Sequence, residues 1–257
     1  MSSDEFLNLP PPPYDKRLSY GADPNQFCEL RLPQGKGPFG VVMNIHGGYW
    51  RAQYDLSHAG HLCAALTAKG FATCNVEYRR VGNKGGGWPG TLKDVSSAYR
   101  FLVQNATRYN IDANRLVVMG HSAGGHLALC LAAHNPTVSR LVSLAGVVDL
   151  KRAWELHLSN DAVVELLGGT PEQVPEHYAE ADPMRLSIPT TKQWLIHGLA
   201  DDVVPPEFSR NYVELKNKKN EKAHLLEIEK ADHFDVINPG SPAWATVAET
   251  VKNLLLF

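Results

Sequence analysis

The chain has 257 residues, 44% of them hydrophobic and 20% charged, so it can bury a sizeable core as one large or two small domains of ordinary globular composition. A net charge of −2 gives no electrostatic case for nucleic acid, and no apolar run reaches the roughly 18 residues of a membrane span, so neither partner is expected. Cys28, Cys63, Cys74 and Cys130 lie singly in apolar stretches, and the start Met-Ser-Ser-Asp-Glu lacks the apolar segment of a secretory signal; both features predict reduced, buried thiols and a cytoplasmic address.

Residues 1–26 read as an N-terminal arm, with Pro10 to Pro13 a stiff, extended lead-in packed on the body. Residues 27–257 read as a single domain. Phe27 to Leu32 alternates like a half-exposed strand, and after the turn cluster Gln34 to Pro38 comes a short buried strand, Val41 to Ile45. Asp55 can cap the next helix, whose Ala59, Leu62, Cys63 and Leu66 share a face before Gly70 ends it. Phe71 to Tyr78 is a strand, and Arg79 to Gly90 a glycine-rich loop without the Lys-Ser/Thr ending of a phosphate loop. A helix follows over Thr91 to Tyr109, then a strand over Leu116 to Met119 and a small-residue helix over Leu127 to Ala133.

After the strand Leu141 to Ala145 the rhythm breaks. Residues 149–186 hold helical patches, Ala153 to Leu158 and Ala162 to Leu167, and are too long for a plain connection, which predicts an inserted helical cap. The strands Gln193 to Ile196 and Leu225 to Ile228 flank a helix over Phe208 to Lys216. The chain closes on a helix in which Trp244, Val247, Val251, Leu254 and Leu255 share one face. Alternating helices and short apolar strands predict an α/β fold, a mostly parallel sheet covered on both faces.

Functional groups of such a sheet gather beyond the carboxyl ends of its strands. His46, Ser122, Asp201 and His233 each follow a predicted strand. Gly120-His-Ser-Ala-Gly124 between strand and helix is the context of a nucleophile elbow, which lifts the Ser122 hydroxyl to the positive end of the following helix. A serine hydroxyl needs a base, and of eleven histidines His233 follows the last strand, flanked by Asp232 and Asp235. Its orienting acid is Asp201, with Asp202 read as a solvated turn residue. His121 and His126 are expected to line the pocket or satisfy backbone groups, His58 and His61 to be surface or packing residues, and His197 to pack beside the acid loop. An oxyanion hole needs backbone N–H groups; Ala123 supplies one, and His46-Gly-Gly-Tyr-Trp50 supplies those of Gly48 and Tyr49. No dense His/Cys motif suggests a metal.

His46-Gly-Gly-Tyr-Trp50, Gly120-His-Ser-Ala-Gly124, His197-Gly-Leu-Ala-Asp201 and Asp232-His233 resemble, in this order, the α/β-hydrolase superfamily. Within it they resemble the esterase branch of hormone-sensitive lipase and, more narrowly, kynurenine formamidases, which carry His-Gly-Gly-x-Trp where lipase relatives usually carry a third glycine. The resemblance implies acyl transfer from an ester or aryl formamide through a Ser122-His233-Asp201 triad without metal or organic cofactor, the second glycine and the next residue, Gly48 and Tyr49, donating to the oxyanion. Trp50, Trp88 and the cap residues Trp154, His157 and Leu158 are expected to line an aromatic pocket for a small-molecule substrate. A general short-chain carboxylesterase, a small oligopeptidase-like peptidase and a non-enzymatic binding protein on the same fold are the alternatives. The C-terminal helix and exposed sheet edge could make a homodimer.

Overall fold

The computed structural model describes residues 6–256. One sheet holds β1 (Lys16–Ser19), β2 (Phe27–Arg31), β3 (Phe39–Ile45), β4 (Ala72–Val76), β5 (Ile111–His121), β6 (Arg140–Leu144), β7 (Lys192–Gly198) and β8 (Ala223–Ile228), in the order β1-β2-β4-β3-β5-β6-β7-β8. β1 and β2 run antiparallel at one edge, and every pairing from β4 to β8 is parallel.

Successive side chains of a strand point to opposite faces, and the apolar runs therefore feed two cores. Val41, Met43, Ile45, Leu116 and Val118 join one, under α2 (Gly90–Gln104), α3 (Ala123–His134) and α7 (Glu207–Lys218). Val42, Val117, Met119 and Val142 join the other, under α1 (Gly60–Ala68) and α8 (Trp244–Leu256). Between β6 and β7 stand three short helices, α4 (Leu150–Glu155), α5 (Ala162–Leu167) and α6 (Pro175–Ala181), in the stretch read as a cap.

Three expectations shift. Residues 16–19, read as arm, are the edge strand, and the prolines before them are pinned because the Arg31 side chain donates to Pro13 O at 3.1 Å and Pro12 O at 2.8 Å. β5 starts five residues earlier than its apolar run, because the polar stretch from Asp112 still pairs its backbone with β3 across a register shift at Gly40/Val41. The helix expected to reach Tyr109 stops at Gln104, where Asn105 caps it and a 3₁₀ turn follows. All four cysteines are buried and unpaired, and among the described residues no helix is long and apolar enough to cross a membrane.

Candidate active site

Ser122 alone makes the turn between β5 and α3, at φ 55° and ψ −119°. That region costs a non-glycine residue about 1–3 kcal/mol and persists only where its surroundings over-determine it. Here the Ser122 N–H donates to Leu144 O at 2.8 Å, and Ser122 O accepts from the N–H of His126 at 3.2 Å. The flanking glycines are a packing requirement. A Cβ on Gly120 would stand 2.1 Å from Gly124 O, and one on Gly124 2.0 Å from Ile45 O.

After β8, His233 turns back over the end of β7, and its Nδ1 lies 2.7 Å from Asp201 Oδ2. Asp201 Oδ1 accepts from the N–H groups of Val203 and Val204 at 2.9 and 2.8 Å, and His197 Nε2 stands 3.1 Å from Oδ2. Burial pushes this carboxyl up, but the bonds from His197, His233 and the backbone outweigh it and hold Asp201 well below the usual carboxylate range. Asp202 is exposed, as a solvated turn residue should be.

After β3 the chain passes through three consecutive positive φ values, Gly48 at 105°, Tyr49 at 48° and Trp50 at 58°. Buried groups brace this loop. His46 lies between Gly47 O (2.7 Å from Nδ1) and Glu77 Oε1 (3.0 Å from Nε2), and its ring stacks on Tyr78 at 4.4 Å. Glu77 also pairs with Arg80 at 2.9 Å. The Tyr49 hydroxyl donates to Val203 O at 3.1 Å, which ties the loop to the turn carrying Asp201. Among the described residues none accepts a hydrogen bond from the N–H of Gly48, Tyr49 or Ala123.

Ser122, His233, Gly48 and Tyr49 line one cavity of about 500 Å³ with Leu7, Gln53, Tyr54, Asp55, Ser57, His58, His121, Ser159, Val203 and Phe234. Burial holds His121 well below an ordinary histidine and His58 down to about 4. The neutral His121 ring thus donates from Nε2 to His233 O, 2.9 Å away, and neither residue competes as a base near neutral pH.

The aromatic pocket is corrected. Trp50 is wholly buried in the core, edge-on to His126 at 5.1 Å. Trp88 borders a different cavity, its Nε1 donating to Glu180 at 3.4 Å. His157 is exposed and bonded to Asp161 at 2.8 Å, Leu158 packs on the core, and Trp154 does not face the cavity. Covering the sheet takes the apolar faces of α4 and α5, which bury Leu150, Ala153, Val163 and Leu166, so this stretch lends the cavity only Ser159. Sequence reasoning missed Tyr54 and Asp55, a few residues past the glycine motif, and Phe234, next to His233. His58 was read as surface or packing. Leu7 carried no signal at all, because chain contacts alone bring residue 7 to this cavity. Among the described residues, no three His, Cys, Asp or Glu side chains stand as a metal cluster.

BD-FAE, a protein family, matches residues 28–216. The chain belongs to the BD-FAE family. Curated relatives of this BD-FAE chain include the esterase LipC of Mycobacterium tuberculosis, 27% identical over 87% of this chain and 60% of that one, and the kynurenine formamidase of Drosophila melanogaster, 24% identical over 82% and 71%. The chain spans about half the length of most of the first curated relatives it matches. Among solved structures, a truncated form of carbohydrate esterase from gut microbiota superposes with a TM-score of 0.84 at 22% identity, over 97% of this chain and 100% of that one. The fold is that of the α/β-hydrolase esterases.

Proposed function

We propose that this chain is a serine carboxylesterase working through an acyl-enzyme. His233 Nε2 takes the Ser122 proton as the serine oxygen attacks the ester carbonyl. Asp201, bonded to Nδ1, fixes the tautomer and stabilises the imidazolium that forms. The N–H groups of Gly48, Tyr49 and Ala123 donate to the oxyanion, where charge develops. His233 then protonates the leaving alcohol, and water repeats the sequence on the acyl group. The observation that carries this reading is a left-handed serine at a strand–helix turn lining the same cavity as a histidine bonded to a buried carboxylate.

A second reading, hydrolysis of an aryl formamide, draws on His46-Gly-Gly-Tyr-Trp50 and on the likeness to the Drosophila kynurenine formamidase. The test is kcat/KM for p-nitrophenyl acetate and butyrate beside N-formylkynurenine, with Ser122→Ala as control. Turnover of the esters alone supports the first reading. A formamide value well above both esters supports the second, and turnover that survives Ser122→Ala refutes both.

A further inference from the structure

Catalytic groups apart, Asp55 is the one formally charged side chain among the described residues lining the cavity around Ser122. It stands at the exposed rim, on the turn that leaves the glycine loop, and its Oδ1 accepts the Ser57 N–H at 2.9 Å. Burial pushes this carboxyl up, but the bonds from Ser57, with His46 and Arg80 nearby, outweigh it, so Asp55 is anionic at neutral pH.

No cation answers it within the cavity. Arg51 does not line the cavity, and its donors are taken by Glu165 at 2.7 Å, Ser159 Oγ at 3.0 Å, Ser159 O at 2.7 Å and Asn160 O at 3.3 Å. Arg80 lies on the other side of Asp55, in a neighbouring cavity that Asp55 also borders; its charge helps to hold the Asp55 carboxyl down, and it is itself held by Glu77 and Asn25 at 2.9 Å each, outside the cavity around Ser122. His58 and His121 face the cavity as neutral rings. The second carboxylate, Asp201, is also negative.

We propose that Asp55 sets the charge preference of the site: it favours esters whose acyl and alcohol parts are neutral or cationic over those bearing a carboxylate. The proposal rests on Ser122 being the nucleophile. An anionic group entering the cavity loses part of its hydration and gains no counter-ion, while Asp55 repels it across a partly wet space. At an effective dielectric between that of a protein surface and water, such a pair is worth about threefold to tenfold in rate. N-formylkynurenine, an amino-acid zwitterion, then ranks below its methyl ester, which keeps the ammonium and loses the carboxylate.

The test compares kcat/KM for p-nitrophenyl hexanoate and the p-nitrophenyl half-ester of adipate, substrates of similar length that differ by one terminal carboxylate. They are measured in the wild type, in Asp55→Asn and in Asp55→Lys. Asparagine keeps an acceptor for the Ser57 N–H, so the turn survives and the charge alone is removed. The expected result is a wild-type preference for hexanoate, an adipate-to-hexanoate ratio that rises about threefold to tenfold in Asp55→Asn, and a larger rise in Asp55→Lys. In the wild type alone, raising ionic strength from about 0.02 M to about 0.5 M narrows the gap, which keeps the test independent of how the variants fold. A ratio constant within about twofold across variants and salt would overturn the role of Asp55. A wild type inactive on both esters, or full activity in Ser122→Ala, would overturn the underlying reading instead.

Discussion

Ser122 occupies a backbone conformation that few serines adopt, and Gly120 and Gly124 leave no room for a relaxed alternative. Ser122→Ala keeps the turn and removes only the hydroxyl, so kcat for an ester should fall by about 10⁴- to 10⁶-fold while circular dichroism stays unchanged. The adjacent aspartates give a sharper contrast. Asp201 accepts from His233 and two backbone N–H groups, whereas Asp202 is exposed. Asp201→Asn should cut kcat by about 10³- to 10⁴-fold, and Asp202→Asn should stay within about twofold; equal, mild losses would show that the acid lies elsewhere. Gly48 at φ 105° has no space for a Cβ, which would meet Tyr54 Cβ at 2.4 Å. Gly48→Ala should therefore lower kcat by about 10²-fold or more by displacing a donor of the oxyanion loop, as steady-state kinetics on a neutral ester would show.

At the scale of elements, the glycine loop is tied to two others. Tyr49 bonds the turn carrying Asp201, and Arg51 bonds the segment 159–165 between α4 and α5. That segment is strained: His157, Ser159, Asn160 and Asp161 all hold positive φ, between 48° and 60°. Four hydrogen bonds from one guanidinium offset part of that strain, and a lysine cannot reproduce their fork. Arg51→Lys and Arg51→Ala should both speed amide hydrogen exchange over 157–165 and raise KM several-fold, with kcat changing less. Exchange as slow as in the wild type would show that the clamp holds nothing. None of this tie was visible in the one-dimensional pattern, because its partners lie 108 and 114 positions apart.

For the whole molecule, Asp182 links both ends of the helical insertion to pH. It is almost fully buried, and its Oδ1 accepts from the N–H of Leu150 at 3.3 Å and Met184 at 3.1 Å. Burial, with Asp149 nearby, raises it from 3.8 to about 6. A carboxyl raised on folding favours the protonated folded state, so its contribution declines as pH rises from 3.8 to about 6 and stays lost above that. Asp182→Asn keeps both backbone bonds and removes the buried charge. It should stabilise the protein by about 1–3 kcal/mol at pH 8, and by little at pH 4, in urea unfolding at the two pH values.

The order of elements, the parallel sheet and the strand-end positions of Ser122, Asp201 and His233 were written in local pattern. Apolar runs of strand length mark buried strands, and groups just past strand ends share one edge of a parallel sheet whatever the remaining contacts are. Asp201, chosen there over Asp202, is the aspartate bonded by the backbone N–H groups of Val203 and Val204 and by His233. The cavity walls were not legible. Trp50, Trp88 and Trp154 are aromatic in composition alone, and whether a ring meets substrate or core depends on which face its element must bury. The same holds for Leu7, Asp55 and His58, which reach Ser122 through contacts distant in sequence. Strand-end chemistry is a property of local order, whereas a pocket is a property of packing, and packing is decided when both faces of the sheet are covered.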